Sequence, residues 1–372
     1  MDPILFDLNE KDDTLKFTIS NINVSLANAI RRVIISDIPC VVFETLPHEK
    51  NNSTFYVNTS KFNNEILKQR LACIPIHFNN LEIPINEFID NFILEVDVKN
   101  NSDSIIYVTT ADFKIKHLKT DKYLQDDILK QIFPPNPITN QYIDFCRLLP
   151  KLSDTIPGQH LKFSCKFSIS TAKENGSYNI VSCCAYKNTP DYVKIEEEAK
   201  IFMDKLKEKY EDEQSINLEF NDWKTLDAKR IFLEDSFDFT IKTIGIYTNK
   251  EILKKSINII INRLNNLKEI FTKNTQYITN SNTTIPNSYN IILENEDFTI
   301  GKIIEIILYN NYYIGDSTLT YCGFYKPHPH LNIPIIRIAF KNEQPIDSAQ
   351  RYIVESSQFA IDIYEKFLKQ IV

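Results

Sequence analysis

One pattern occurs twice in this chain, once near each end, and it limits the possible folds more than any single motif. Near the start, the strand-like Phe17-Thr18-Ile19 leads into Leu26-Ala27-Asn28-Ala29-Ile30-Arg31-Arg32-Val33-Ile34-Ile35. Near the end, Ile291-Ile292-Leu293 leads into Phe298-Thr299-Ile300-Gly301-Lys302-Ile303-Ile304-Glu305-Ile306-Ile307-Leu308. Each copy is followed later by a long amphipathic helix, residues 250 to 271 for the first and 347 to 371 for the second. Ile252, Ile257, Ile260, Ile261, Leu264, Leu267 and Phe271 put one apolar stripe on the first of these helices. Ile353, Ser357, Ala360, Tyr364, Phe367 and Ile371 recur at heptad-like intervals on the second. Such stripes serve either as intradomain core or as a seam between the two helices. A small sheet-and-helix half present twice predicts two halves that pack against each other. One polypeptide would then carry what is otherwise a heterodimer.

The remaining segments fill in this plan. Residues 4 to 8 and 15 to 22 alternate as strands, and Asn23 and Ser25 offer N-caps for a helix over about 25 to 36. Leu26, Ile30, Val33 and Ile34 share its apolar face, which leaves Arg31 and Arg32 partly off that face and free for a partner. Pro39 ends the helix, and Cys40 to Leu46 reads as a β run. From 48 to 228 the chain shows short β-like runs (92 to 98, 105 to 109, 161 to 169, 178 to 187) and one surface helix over 194 to 212. Pro157-Gly158 reads as a type II turn with the glycine at positive φ. Residues 237 to 241 alternate as a strand, and 273 to 288, rich in Asn, Thr and Ser, lose apolar periodicity. A linker of about 16 residues can extend to ~53 Å, more than the ~30 Å needed to return along one long helix. It would hold even a weak pair together at near-millimolar effective concentration.

The expected fold is therefore α+β: two dimerisation halves, each an antiparallel sheet plus two helices, paired within one chain. The first half comprises 1–47 and 229–272, interrupted by a mostly-β domain at 48–228; a linker at 273–288 leads to the second half at 289–372. Its expected core is Leu26, Ile30, Ile257, Ile260, Ile261 and Leu264 from the first half, with Phe298, Ile300, Gly301, Ile304, Ala360, Tyr364 and Phe367 from the second.

Composition removes several function classes. A net charge of -7 argues against a chain that grips nucleic acid unaided, and the basic stretch Lys114 to Lys122 has Asp112 and Asp121 at its flanks. No apolar run reaches the 18 residues of a membrane span, and no signal peptide opens the sequence. The seven cysteines (Cys40, Cys73, Cys146, Cys165, Cys183, Cys184, Cys322) lack C-x-x-C spacing and sit mostly among apolar neighbours, which suits reduced, buried thiols. His328-Pro329-His330 offers two histidines with no evident third ligand, so neither a metal nor another cofactor is expected. A Cys–His hydrolase built on Cys73 or Cys40 with His77 or His48 is the enzymatic alternative, since such partners need not be adjacent in sequence.

Asn28-Ala29-Ile30-Arg31-Arg32, continued by Ser36-Asp37-Ile38-Pro39, resembles the α-subunit family of multisubunit RNA polymerases. That family includes bacterial α, its archaeal D-type counterpart and the third-largest subunit of RNA polymerase II. Gln69-Arg70-Leu71-Ala72-Cys73-Ile74-Pro75-Ile76 is similar to its R-L-G-x-I-P segment, and Pro157 to Phe163 to its turn and strand. A reduced A-K-E element follows at Ala172-Lys173-Glu174, degraded at Asn175-Gly176-Ser177. From Asn290 onward the chain resembles the smaller partner, the archaeal L-type protein or the eleventh subunit of RNA polymerase II. Glu296-Asp297-Phe298-Thr299-Ile300-Gly301 matches its E-D-H-T-L-G opening with Phe for His, and Tyr325-Lys326-Pro327-His328-Pro329 matches its hairpin. The Arg often found on that helix is Glu305 here, so the two short helices differ in charge, which favours two distinct roles over a homodimer. Neither the zinc loop nor the iron–sulfur insertion of some members is present.

The resemblance implies a non-catalytic assembly platform for DNA-templated transcription, fused as in large nucleocytoplasmic DNA viruses. Its implied partners are the two largest polymerase subunits and small zinc-binding polymerase subunits, with little direct nucleic-acid contact, no membrane and no homo-oligomer. Asn28, Arg31 and Arg32 are the implied large-subunit contacts. The catalytic aspartates of such polymerases lie in the largest subunit, and no D-x-D-x-D run occurs here. A viral owner implies virion and host cytoplasm; any other implies the nucleus. The alternatives are an accessory protein that keeps the fold outside the polymerase, or an α-like homodimer.

Overall fold

A computed structural model of the chain describes residues 2–78, 84–153, 155–328, 330–331 and 333–371. It opens with β1 (Ile4–Lys11), β2 (Thr14–Ser20), α1 (Val24–Ser36) and β3 (Cys40–Val42). There follow β4 (Ser53–Asn58), α2 (Asn64–Ala72), α3 (Ile85–Asn91), β5 (Phe92–Lys99), β6 (Ile106–Thr109), β7 (Lys114–His117) and α4 (Asp126–Ile132). Next come β8 (Asp144–Leu148), β9 (His160–Lys166), β10 (Ser168–Ser170), β11 (Val181–Pro190), α5 (Tyr192–Lys209), α6 (Glu213–Thr225), β12 (Phe232–Thr243) and α7 (Asn249–Lys273). The chain finishes with β13 (Ile278–Asn280), β14 (Ser288–Ile292), α8 (Phe298–Leu308), β15 (Leu319–Tyr325), β16 (Ile335–Phe340) and α9 (Ile346–Leu368).

Two compact units result: a larger one from residues 1–34, 183–242 and 249–372, and a smaller one from 35–182 with 243–248. Inside the larger unit lie two four-stranded sheets, β1-β2-β12-β11 and β13-β14-β16-β15. Their connectivity is the same. In each, the first two strands form an antiparallel hairpin, a short helix follows the second strand, and the fourth strand in sequence pairs antiparallel with the second. A long helix then leaves the fourth strand. The short helices are α1 and α8; the long ones are α7 and α9.

Local chemistry sets these elements. The Asn23 side chain accepts from the Ser25 amide at 2.8 Å and starts α1, and the Asp297 side chain does the same for α8 through the Thr299 amide, also at 2.8 Å. On the β2–β12 ladder, Phe17 sits opposite Phe239, with their rings stacked at 5.1 Å beneath the helices. Helix α7, roughly 37 Å long, packs along α9. The N-terminal strand closes over the far end of α9: the Leu5 amide donates to Gln370 Oε1 at 2.8 Å, and Gln370 Nε2 donates to the Pro3 carbonyl at 2.6 Å.

The smaller unit has its own core. Its main sheet runs β4-β9-β5-β7, with β6-β8 and β3-β10 as two-stranded ladders. Phenylalanine dominates the interior: Phe88 contacts Phe167 at 4.7 Å and Phe78 at 4.8 Å, and Phe113 meets Phe145 edge-on. Offset and edge-on geometries of this kind add about 0.5–1.5 kcal/mol per pair beyond area burial.

The structure differs from the sequence expectations at several points. The separate unit ends at 182 rather than 228, because β11 joins the β1-β2-β12 sheet and carries α5 and α6 with it. It begins at 35 rather than 48, since β3 pairs with β10. The surface helix expected at 194–212 is α5, and a second helix, α6, follows it, capped by Asp212, which accepts from the Gln214 and Ser215 amides. The stretch at 273–288 contains β13, which pairs with β14. Gly158 does not take a positive φ. It is needed for close approach, since a Cβ there would lie 1.8 Å from the Asn100 carbonyl oxygen. Pro329, part of the hairpin motif, lies outside the described residues.

Candidate pairing interface

The seam of the larger unit is built from helical spacing. On α7, residues Ile252, Ile257, Ile260, Leu264, Leu267 and Phe271 are buried on one stripe. Against them α9 presents Ile353, Ser357, Ala360, Tyr364 and Phe367, all fully buried. Small residues at 357 and 360 leave room for the larger side chains opposite. Each fully buried Leu, Ile or Phe contributes about 1.5–3 kcal/mol as an upper estimate. Polar contacts fix the register at the edges: Lys268 Nζ donates to Gln358 Oε1 at 2.6 Å, and Gln350 Nε2 donates to the Phe271 carbonyl.

The short helices complete the interior. Leu26 and Ile30 of α1 and Ile300, Gly301 and Ile304 of α8 are buried. Tyr364 ties the long and short helices together, its buried hydroxyl donating to the Leu26 carbonyl at 3.0 Å. Burial pushes the Tyr364 phenol well above its ordinary pKa, so it stays a donor. A Cβ at Gly301 would come within 2.1 Å of the Phe324 ring on β15, so α8 can sit this close to its sheet only with glycine there.

Two of the expected core residues are placed differently. Phe298 is 46% exposed. It follows the Asp297 cap directly, about 200° round the helix from Ile300, and turns its ring edge-on to Phe324 at 5.0 Å. Ile261 is half-buried, one residue off the Ile260 stripe. Phe298 and Lys302 on α8, with Val24, Asn28 and Arg32 on α1, line a shallow groove between the two short helices.

The α1 arginines diverge. Arg31 Nε donates to Asn28 Oδ1 at 2.9 Å, so these two expected contact residues are joined to each other on the half-buried flank of α1. Arg32 turns toward α8: its Nε donates to Thr299 Oγ1 at 2.9 Å, and its Nη2 lies 3.8 Å from Asp297 Oδ2. Arg263 of α7 reaches the same place, with Nε 3.1 Å from Glu296 Oε2 and Nη2 3.1 Å from Asp297 Oδ1. The sequence pattern singles out Glu296-Asp297 but not Arg263, for which a position off the α7 stripe is the available signal. Glu305 points back to its own sheet, accepting from the Phe324 amide at 2.9 Å.

Burial pushes Cys40, Cys184 and Cys322 up to about 12, which keeps them protonated. His77 Nδ1 donates to the Gly245 carbonyl at 2.9 Å, and burial holds the ring below its usual pKa. Among the described residues, no group of three or more His, Cys, Asp or Glu is placed to hold a metal ion. No described helix is long and apolar enough to cross a membrane.

Comparison with known proteins agrees with this geometry. The family model described as the RNA polymerase Rpb3/Rpb11 dimerisation domain matches residues 16–264. The chain is 24% identical over 284 residues to DNA-directed RNA polymerase subunit Rpo3 of Pyrococcus furiosus, covering 69% of this chain and 92% of that protein. It is also 24% identical over 302 residues to the RNA polymerases I and III subunit rpac1 of Dictyostelium discoideum, covering 72% and 81%. A shorter stretch of 80 residues is 34% identical to RNA polymerase II subunit rpb3 of the same organism, covering 22% and 24%. The chain belongs to the RNA polymerase Rpb3/Rpb11 dimerisation-domain family.

Proposed function

We propose that this chain is a non-catalytic, Rpb3-like subunit of a multisubunit DNA-directed RNA polymerase that carries its own Rpb11-like partner as its second half. The observation that supports the reading most directly is the repeated connectivity: two sheets of the same strand order, each with a short and a long helix, joined along α7 and α9. The family match lies on the first half, and the second half supplies what a free chain of that kind would need from another subunit. On this platform the two largest polymerase subunits assemble. They dock over the groove between the short helices, where Arg31, Asn28, Lys302 and Phe298 face the groove or its flank. Arg is well suited to such a rim because its planar donors can grip carboxylates in pairs. Viral ownership places the chain in the virion and host cytoplasm; any other places it in the nucleus.

The test is affinity purification of tagged chain from cells that express it, with mass spectrometry of what stays bound. The two largest polymerase subunits should come down at near-equal stoichiometry, without a separate small Rpb11-like subunit. Arg31→Glu should leave the isolated chain folded and reduce that recovery several-fold. Recovery of the chain alone, or only with copies of itself, would reject the platform reading.

A further inference from the structure

The two halves carry opposite charges at one place where they meet. Arg32 and Arg263 come from the first half, and Glu296 and Asp297 from the second. Three members are largely withdrawn from water, with side-chain exposure of 17% for Arg263, 12% for Glu296 and 28% for Asp297, while Arg32, at 40%, sits at the rim. Asp297 has three tasks at once. It caps α8 through the Thr299 amide, pairs with Arg263 and faces Arg32. Thr299 gives its hydroxyl oxygen to Arg32 as well.

The corresponding cap of the first half is neutral. Asn23 holds the position on α1 that Asp297 holds on α8, with the same contact to the amide two residues on. Ile22, buried, stands where Glu296 stands. Were the first halves of two chains to pair with each other, Arg32 and Arg263 would meet Asn23 and Ile22 instead of two carboxylates. Both guanidinium groups would lose these two carboxylates, and for Arg263, which is largely shielded from water, that loss is strongly unfavourable.

We infer that the Arg32–Arg263–Glu296–Asp297 cluster is the specificity determinant of the pairing: it selects the second half as partner and rejects a second copy of the first half. The inference rests on the fused-pair reading above and adds which residues enforce it. Apolar stripes alone discriminate poorly, because the α7 stripe of one chain fits an apolar helix of the right length from many sources. A charge-complementary cap supplies the missing selectivity.

The experiment is a charge swap in the full-length chain. Arg263→Glu and Glu296→Arg, taken singly, put like charges together and should each lower the melting temperature by about 5 °C or more. Together they restore opposite charges and should recover at least half of the summed loss. Where a single variant fails to fold alone, the two singly substituted chains are coexpressed. Each first half then matches the second half of the other chain, and light scattering should read twice the chain mass, whereas unsubstituted protein reads one. Additive losses in the double variant, singles that melt like the unsubstituted chain, or coexpressed chains that stay insoluble or read one chain mass would overturn the inference. None of these readouts involves the large subunits, so the platform reading stands or falls separately, by affinity purification.

Discussion

The two halves of the larger unit follow one plan with different connections. In the second half β13, β14, α8, β15, β16 and α9 follow one another within residues 278–368, and a π-helical turn at Tyr309–Gly315 suffices to pass from α8 to β15. In the first half the corresponding passage, from α1 to β11, carries the whole 35–182 stretch, and the passage from β11 to β12 carries α5 and α6. Helix α6 has no fully buried residue, and Phe202, Phe220 and Trp223 stack on one another only partly shielded from water. The contrast shows where the fold is constrained. Strand order, caps and seam are kept in both halves, while connections away from the seam differ in length by an order of magnitude.

The largest expected effect tests whether the halves contribute equally. Ile260→Asp on α7 and Phe367→Asp on α9 each place an unpaired carboxylate in the seam, and each should cost about 4 kcal/mol or more. Thermal melts of the two variants should fall together; a wild-type melt in either would show that its helix is not held by the other. A smaller effect sharpens the difference between the short helices. Gly301→Ala should cost about 1–3 kcal/mol, because the Phe324 ring must move. Ala27, fully buried on α1, already carries a Cβ, so the same change has no counterpart in the first half. Chemical denaturation, read as a midpoint shift at constant slope, decides this.

The smallest effect concerns the 35–182 unit. Burial lowers the His77 pKa in the folded protein, so the unfolded chain binds the proton more readily. Stability from this group is full above the ordinary histidine range and declines as pH falls through 6.5 toward the folded value. Melts of the smaller unit, followed by near-ultraviolet absorption of its aromatic core, should shift down by a few degrees between about pH 7.5 and 5.5. His77→Gln should flatten that slope and leave the seam variants' behaviour unchanged. A slope as steep in His77→Gln as in the parent would assign the effect elsewhere.

Much of this was legible from residue spacing. The stripes of α7 and α9 could be read because helical period and burial coincide at Ile257, Ile260, Leu264, Ala360, Tyr364 and Phe367. Asn23 was legible as a cap because its type and place before an apolar run are local properties. What spacing could not show depended on distant partners. The β11 strand could be read from sequence as a β run, but only its pairing with β12 assigns it to the larger unit. Gly158 looked like a turn glycine, yet its constraint comes from Asn100, 58 residues away. Arg32 looked free because Thr299 and Asp297 approach it from the other end of the sequence.

The order of the two long helices along the chain has a consequence during synthesis. Its stripe on α7 is finished at Phe271, but the residues that cover it end with Phe367 on α9. A ribosome adding 5–20 residues per second needs roughly 5–20 s to make the stretch from 274 to 368. Throughout that interval Ile252, Ile257, Ile260, Leu264 and Leu267 form a sticky face on a nascent chain. A separately encoded partner would have to be found by diffusion in a crowded cell, whereas here the cover arrives on the same thread. Because α9 follows α7 on the same chain, the cover arrives after a wait of fixed length rather than by a search.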